Sequence, residues 1–448
     1  MNQFLAPNDL AAERRAAFEN GEVPVAVYGL GKMGLPLAAV YAEVTGNVTG
    51  VDIDKSVVDR IRRGECPVER EPGLSELIAE LVEDGSLNAS ADSVAAAADA
   101  AVHVVIVPTL VDEDNQPDLS AVRAAVTDIA QGLDTDDLVI VESTLPPGTT
   151  ETVLGPLIES ESGLDSDEFG LAFCPERTSS GRALRDIRGT HPKIVGGATE
   201  ESTRAAVDIY EALVDNDVIP VSDATTAEMV KVFEGLYRDV NIALANELAR
   251  FADELDRDVR EAIAAANTQP YCDLHTPGPG VGGHCIPYYP YFIINWLTTD
   301  APLLETSRSI NDAMPTFVAD KALEGLAAKS IEPDDATALV LGLTYRAGVR
   351  ETRASPAYGV CDRLSEAGVD VLATDPLVDA DGFAATNVSL VDAFDEDLDA
   401  VVLVTDHEEF DAIDWTSFDD PLVVVDGRDA LDLADTDHLV YTVGRGCE

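Results

Sequence analysis

The chain has 448 residues, 46% of them hydrophobic, enough to build two or three packed domains with their own cores, so disorder of the whole is not expected. Its 84 Asp and Glu against 29 Lys and Arg leave a formal charge of -55 that is spread along the sequence. That balance argues against nucleic acid and anionic membrane as partners, since both need basic patches, but allows an anionic small ligand where arginines or helix N-termini line a pocket.

Such acidity suits a protein dissolved in multimolar salt, where screening shortens self-repulsion to a few ångströms, and points to a halophile's cytoplasm. The lysines are few: Lys32, Lys55, Lys193, Lys231, Lys321 and Lys329. The six cysteines are scattered with no CxxC pair, so reduced thiols and an intracellular location are expected. Met1 to Glu22 is polar, without the apolar core of a signal peptide, and reads as an N-terminal tail or short helix. No apolar run reaches the length of a membrane span.

From Val23 the pattern becomes strand, glycine turn, helix and strand: Val23–Tyr28, Gly29–Gly34, Leu35–Tyr41 and Val48–Asp52. Further apolar runs at Ala101–Val107, Leu138–Glu142 and Leu171–Cys174 extend this unit into a doubly wound parallel sheet, a Rossmann-like dinucleotide-binding domain over residues 23–215. Gly29-Leu30-Gly31-Lys32-Met33-Gly34 sits between strand and helix, the context a dinucleotide fingerprint requires. Asp52 ends the next strand, where a carboxylate accepts from a ribose 2′-hydroxyl and disfavours a 2′-phosphate, so the cofactor is expected to be NAD.

Glu176 and Arg177 follow a strand end, a usual place for ligand contacts in parallel sheets, although a surface ion pair explains them equally. Between Thr225 and Ala266 the chain is rich in Ala, Leu and Glu and free of proline, which predicts long helices in a central segment, 216–315, suited to dimerisation. Helical spacing stacks Lys231, Arg238 and, less closely, Asn241 on one side; without further information this is a solvated face.

Gly278-Pro279-Gly280-Val281-Gly282-Gly283-His284-Cys285 places a thiol after a glycine run, where backbone can approach a ligand closely. Cys285 could attack a carbonyl, with Lys231 or His284 as candidate bases; the plain alternative is a buried structural cysteine. A metal site at His284 and Cys285 is not expected, because adjacent residues seldom both reach one ion. From Ala336 a second alternation begins, with strands at Ala338–Leu343, Val369–Ala373, Ala400–Val404 and Leu422–Val425, giving a second Rossmann-like α/β domain over 316–448.

Together, VYGLGKMGLPLAA, GVDID, ESTLPPGTT, CPERTSSG, AEMVKVFEGLYRDVNIALANE, PGPGVGGHCIP, SRSIND and GLTYRAGVRETRASPA resemble the UDP-glucose/GDP-mannose dehydrogenase family. The resemblance covers Val23 to Arg428 and is strongest to the branch acting on UDP-N-acetylmannosamine, which shares the histidine before the cysteine and the CPER segment. It implies a homodimer whose C-terminal domain binds UDP. It also implies a four-electron, NAD-dependent oxidation of a UDP-sugar alcohol to the acid, most closely UDP-N-acetyl-D-mannosamine to its uronate.

By the resemblance, Cys285 adds to the aldehyde and passes through a thiohemiacetal to a thioester. Lys231 stabilises oxyanions or shuttles a proton, and Glu176 acts as base or orients water. Gly29, Gly31, Lys32, Met33, Gly34, Asp52, Thr109, Thr144 and Arg353 match positions around NAD. Arg177, Thr178, Lys231, Arg238, Asn241, Gly282, Tyr345, Arg346 and Arg428 match positions that hold the sugar or UDP.

Three departures fall in the site. Gly235 stands where the family usually has Asn, Tyr289 where it usually has Asp, and the basic residues common before the glycine run are missing from Thr268 to His275, leaving only His275. They leave open another UDP-hexose such as UDP-glucose, or a non-catalytic relative that binds NAD and nucleotide sugar. Gly235 also weakens its helix by roughly 1 kcal/mol relative to Ala.

Overall fold

Side chains that alternate between two apolar faces build both sheets of this protein. The computed structural model describes residues 11–178, 181–394, 396–418 and 420–447. Ser179 and Ser180 of the CPERTSSG segment, and the first ten residues of the region read as a tail, lie outside the described residues. Contacts divide the chain into two compact units, residues up to 234 with 291–296, and residues 235–290 with 297 onwards.

In the first unit, β1 (Val25–Tyr28), β2 (Val48–Val51), β3 (Leu87–Ser90), β4 (Val102–Val105), β5 (Leu138–Val141), β6 (Gly170–Phe173), β7 (Lys193–Gly197) and β8 (Val218–Pro220) form one sheet in the order β8-β7-β6-β5-β4-β1-β2-β3. Along β1, Val25 and Val27 face one hydrophobic cluster while Ala26 and Tyr28 face another, so both sheet faces are buried and the strands are continuously apolar. The parallel expectation fails at one place. β6 and β7 pair antiparallel, Ala172 opposite Gly197. Among its described residues the segment joining them holds only short helical turns, Ala183–Arg185 and Asp186–Thr190, instead of the full crossover helix that parallel pairing demands.

The N-terminal region, read as a tail or short helix, carries a helix, α1 (Ala11–Glu19). Its Phe18 is 1% exposed, and Arg14 bonds Asp208 at 2.6 Å on α3 (Glu200–Leu213). The helix after the glycine turn, α2 (Gly34–Thr45), ends on Gly46 in the left-handed conformation at φ 64°.

A 26-residue helix, α4 (Ala224–Ala249), carries the chain from the residues of the first unit into those of the second. In the second unit, buried polar groups join the later part of α4 to α5 (Pro302–Ala328). Arg308 bonds Asp239 at 2.6 Å, Asn311 donates to Asp239 at 2.9 Å, and Asn246 donates to Asn311 at 2.9 Å. Strands β9 (Thr337–Leu341), β10 (Asp370–Thr374), β11 (Thr386–Asn387), β12 (Ala400–Leu403), β13 (Val423–Asp426), β14 (Leu439–Thr442) and β15 (Gly446–Cys447) lie in the order β11-β10-β9-β12-β13-β14-β15, parallel except for the last pair. Ala338 and Val340 of β9 face one cluster and Leu339 and Leu341 the other. Helix α6 (Pro356–Glu366) packs on the first of these faces.

Candidate active site

In each sheet the chain reverses its order beside the first strand, between β1 and β4 and between β9 and β12, which is where open α/β sheets take ligands. At the first reversal the glycines have separate tasks. Gly29 adopts φ 99°, a conformation that disfavours side chains, and a β-carbon there would meet the Ile106 carbonyl at 2.6 Å. A β-carbon on Gly34 would fall 1.8 Å from the Gly29 carbonyl oxygen, so this glycine lets the helix start against the strand. Around Gly31 nothing lies within 4 Å, leaving open space for a ligand's pyrophosphate. Lys32 is exposed beside it and Met33 half-buried.

Asp52 accepts the backbone N–H groups of Leu30 at 2.8 Å and Asp54 at 2.9 Å, which aims its carboxylate into the turn with lone pairs left for a ribose. Thr109 beyond β4 donates to the Thr144 carbonyl beyond β5 at 2.5 Å. These residues fit a dinucleotide. Arg353, matched to the same group of positions, lies in the second unit, with its guanidinium 5.3 Å from the Tyr288 ring centre and its buried Nε lacking a hydrogen-bond partner among the described residues.

The residues after β6 meet α4. Lys231 donates its ammonium to the Glu176 carbonyl, and the Glu176 carboxylate accepts the Thr178 N–H. Thr178 in turn reaches the Met33 sulfur at 3.1 Å, tying this loop to the glycine turn. Arg177 pairs with Glu234 at 2.5 Å and donates to the Pro192 carbonyl at 2.9 Å, so its guanidinium is held by the protein itself. Arg238 is exposed, and Asn241 donates to Tyr237 on its own helix at 2.8 Å.

A cavity of about 30 Å³ beneath Glu176 and Arg177 is also lined by Glu142, Lys193 and Tyr210, with room for one water-sized molecule. Burial pushes the Glu142 carboxyl up, opposed by Lys193 at 2.7 Å and by the Tyr210 hydroxyl that donates to it. None of these three was singled out by its sequence motif. In the sequence Glu142 is a strand end and the first letter of ESTLPPGTT, and its partners lie far along the chain.

In the second unit the cysteine turn is fixed by contacts of its glycine run. Gly278 donates to Asn246 at 2.9 Å. A β-carbon on Gly282 would lie 2.7 Å from the Tyr345 β-carbon, and Gly283, at φ 99°, donates to the Arg353 carbonyl at 2.9 Å. His284 meets Glu351 at 2.8 Å, leaving Cys285 exposed at the head of a turn in which Tyr288 and Tyr289 donate to its carbonyl at 3.1 and 2.9 Å. The exposed thiol excludes the buried structural reading.

Beyond β9 come Tyr345, whose ring stands roughly perpendicular to that of His284 with centres 6.5 Å apart, and exposed Arg346. Arg428 beyond β13 donates to the Val404 carbonyl at 2.8 Å, with Gly278 3.0 Å from its Nη1 if given a β-carbon. Burial, then neighbouring Arg260, lower the Arg428 guanidinium to about 10, still cationic at neutral pH. Asp375, just past β10, accepts the N–H of Leu343 and Thr344 at 2.7 and 2.9 Å, the counterpart of Asp52 in the first sheet. It passed unread in the sequence because no glycine fingerprint accompanies it.

A glycine turn with an acid behind it in one sheet, and a second sheet of the same strand order, define a protein of two Rossmann-like sheets, the first built to hold a dinucleotide. The chain belongs to the UDP-glucose/GDP-mannose dehydrogenase family: it matches the family's NAD-binding domain over residues 23–214, its central domain over 225–313 and its UDP-binding domain over 339–433. It is 37% identical over 426 residues to the UDP-N-acetyl-D-mannosamine dehydrogenase of Pyrococcus horikoshii, covering 94% of this chain and 99% of that one. The solved structure of UDP-D-ManNAc dehydrogenase from the same organism superposes with a TM-score of 0.86 at 36% identity, with 94% of this chain and 99% of that chain covered. An NDP-N-acetyl-D-galactosaminuronic acid dehydrogenase of Ralstonia solanacearum is also 37% identical, over 410 residues, 89% of this chain and 94% of the relative.

The protein is therefore an NAD-dependent nucleotide-sugar dehydrogenase with NAD as its cofactor. Among the described residues no helix is long and apolar enough to cross a membrane, and no group of three or more His, Cys, Asp or Glu is placed to hold a metal ion.

Proposed function

We propose that the enzyme oxidises the primary alcohol of UDP-N-acetyl-D-mannosamine to the uronate in two successive steps, with Cys285 as the covalent nucleophile. The observation that carries this reading is the end-to-end likeness to the Pyrococcus enzyme, which spans 94% of this chain and 99% of that one. NAD, held by Gly29, Gly31, Gly34, Asp52, Thr109 and Thr144, supplies the hydride acceptor when bound. Cys285, exposed on its turn, holds the intermediate aldehyde as a thiohemiacetal and the oxidised carbon as a thioester, which water cleaves to return the thiol. Lys231 places an ammonium for developing oxyanions and Glu176 orients water; Tyr345, Arg346 and Arg428 hold the UDP-sugar.

The Ralstonia relative, equal in identity, favours a second reading in which the sugar is an N-acetylhexosamine of the galacto configuration. The reading also makes the protein a cytoplasmic homodimer. Tyr237, Leu244 and Phe251, seven positions apart on or just beyond α4, are 50%, 42% and 43% exposed, an apolar stripe suited to a second copy.

The test is NADH absorbance in multimolar KCl with NAD and each UDP-sugar. About two NADH per UDP-N-acetylmannosamine is expected from the covalent route. Turnover with the galacto sugar alone would move the assignment there, and turnover undiminished in Cys285→Ala would remove the nucleophile. Lys231→Ala should cost roughly a hundredfold.

A further inference from the structure

Gly235 and Tyr289, two departures from the family pattern that lie 54 positions apart, are a single feature in space. A β-carbon built on Gly235 would lie 2.2 Å from Cδ2 of Tyr289 and 3.1 Å from its Cβ and Cγ, so no other residue type can stand at 235 while the ring stays where it is. Gly235 is not among the glycines with positive φ; it lies within a regular helix, so space and not backbone conformation demands glycine there.

The ring is 7% exposed, and its residue closes the turn opened by Cys285 through the 2.9 Å bond from the Tyr289 N–H to the Cys285 carbonyl. Upstream of the thiol the turn is anchored by His284 on Glu351 and by Gly283 on Arg353. Downstream, the bare helix backbone at Gly235 is the seat of its buried anchor.

We propose that Tyr289 is the positioning residue for Cys285: its ring, seated on the space that Gly235 leaves in α4, sets where the turn holds the thiol. This rests on the reading of Cys285 as the reacting group, so the test reads the thiol directly as well as turnover. In the full-length protein, the iodoacetamide labelling rate of Cys285 is followed by peptide mass spectrometry, with exposed Cys447 as internal reference.

Gly235→Ala should wedge against the ring. We expect Cys285 labelling to change about threefold or more relative to Cys447, and kcat to fall more than tenfold with KM moving less, as roughly ångström-scale misplacement of a reacting group does. Tyr289→Phe keeps the ring and should stay near the parent in both readouts. In a Tyr289→Ala background, adding Gly235→Ala should change little, because the wedge has nothing to strike. A full Gly235→Ala effect in that background, or parental labelling and kcat in Gly235→Ala alone, would overturn the proposal. If Cys285→Ala retains turnover while the labelling cycle still couples 235 to 289, the catalytic reading fails and the positioning holds.

Discussion

The carboxylate of Asp375 lies 3.1 Å from Nε2 of His407, with the two side chains only 0% and 2% exposed. Burial by itself raises this carboxyl, but His407 and the N–H groups of Thr344 and Leu377 outweigh it and bring the pKa from 3.8 down to about 2. The folded state therefore holds this proton less tightly than the unfolded chain does. The stabilisation is complete above the unfolded value and is lost as pH falls from about 4 towards 2.

Asp375→Asn should accordingly lose about 2 kcal/mol at neutral pH, and its stability should fall less steeply than the parent's between pH 4 and 2. Urea unfolding at a series of pH values checks this. An acid limb unchanged by the substitution would assign the sensitivity to other carboxylates.

The glycines of the dinucleotide turn should separate binding from folding. Gly31→Ala places its methyl in open space, so the melting temperature should stay near the parent's while NAD affinity falls. Gly34→Ala drives a carbon to 1.8 Å from the Gly29 carbonyl oxygen and should destabilise the first unit whether or not NAD is present. Calorimetry with and without NAD distinguishes the two, and equal destabilisation by both would contradict the assignment of tasks.

Lys193 and Glu142 form a pair whose side chains are 13% and 0% exposed. Lys193→Met leaves the carboxylate without its countercharge in the interior and should cost roughly 3–5 kcal/mol, whereas the double change to Lys193→Met and Glu142→Leu should cost much less. Denaturant midpoints of the two variants give the comparison. A double variant as unstable as the single would show that packing, and not charge, sets the penalty.

A formal charge of -55 makes salt part of the folding balance. Lowering KCl from multimolar to roughly 0.1 M lengthens the screening range to about 10 Å and should lower the melting temperature progressively. A melting temperature independent of KCl would mean that the surface acids are spaced widely enough to escape one another.

The candidate site residues that the sequence makes legible are those whose signals are local. The glycine turn, Asp52 and the Gly282-Gly283-His284-Cys285 run each state a backbone or strand-end requirement within a few residues of the group they serve. Arg177 shows the limit. Its residue type and place after β6 leave a ligand contact and a surface ion pair equally open, and only the structure shows its guanidinium against Glu234 and the Pro192 carbonyl. Asp375 is not legible for the converse reason: no glycine fingerprint marks the strand end it serves, and its contacts to Thr344 and His407 appear only in the fold.

The sequence by itself determined the two α/β sheets, the glycine turn and the family, because apolar periodicity and glycine spacing act on neighbouring residues. Only the tertiary structure decided the reversed direction of β7, the burial of Glu142 against Lys193, and the seating of Tyr289 on Gly235. Each of these joins segments roughly 20 to 55 positions apart, and which of them meet is set by packing of the whole unit, a property that no short window of residues encodes.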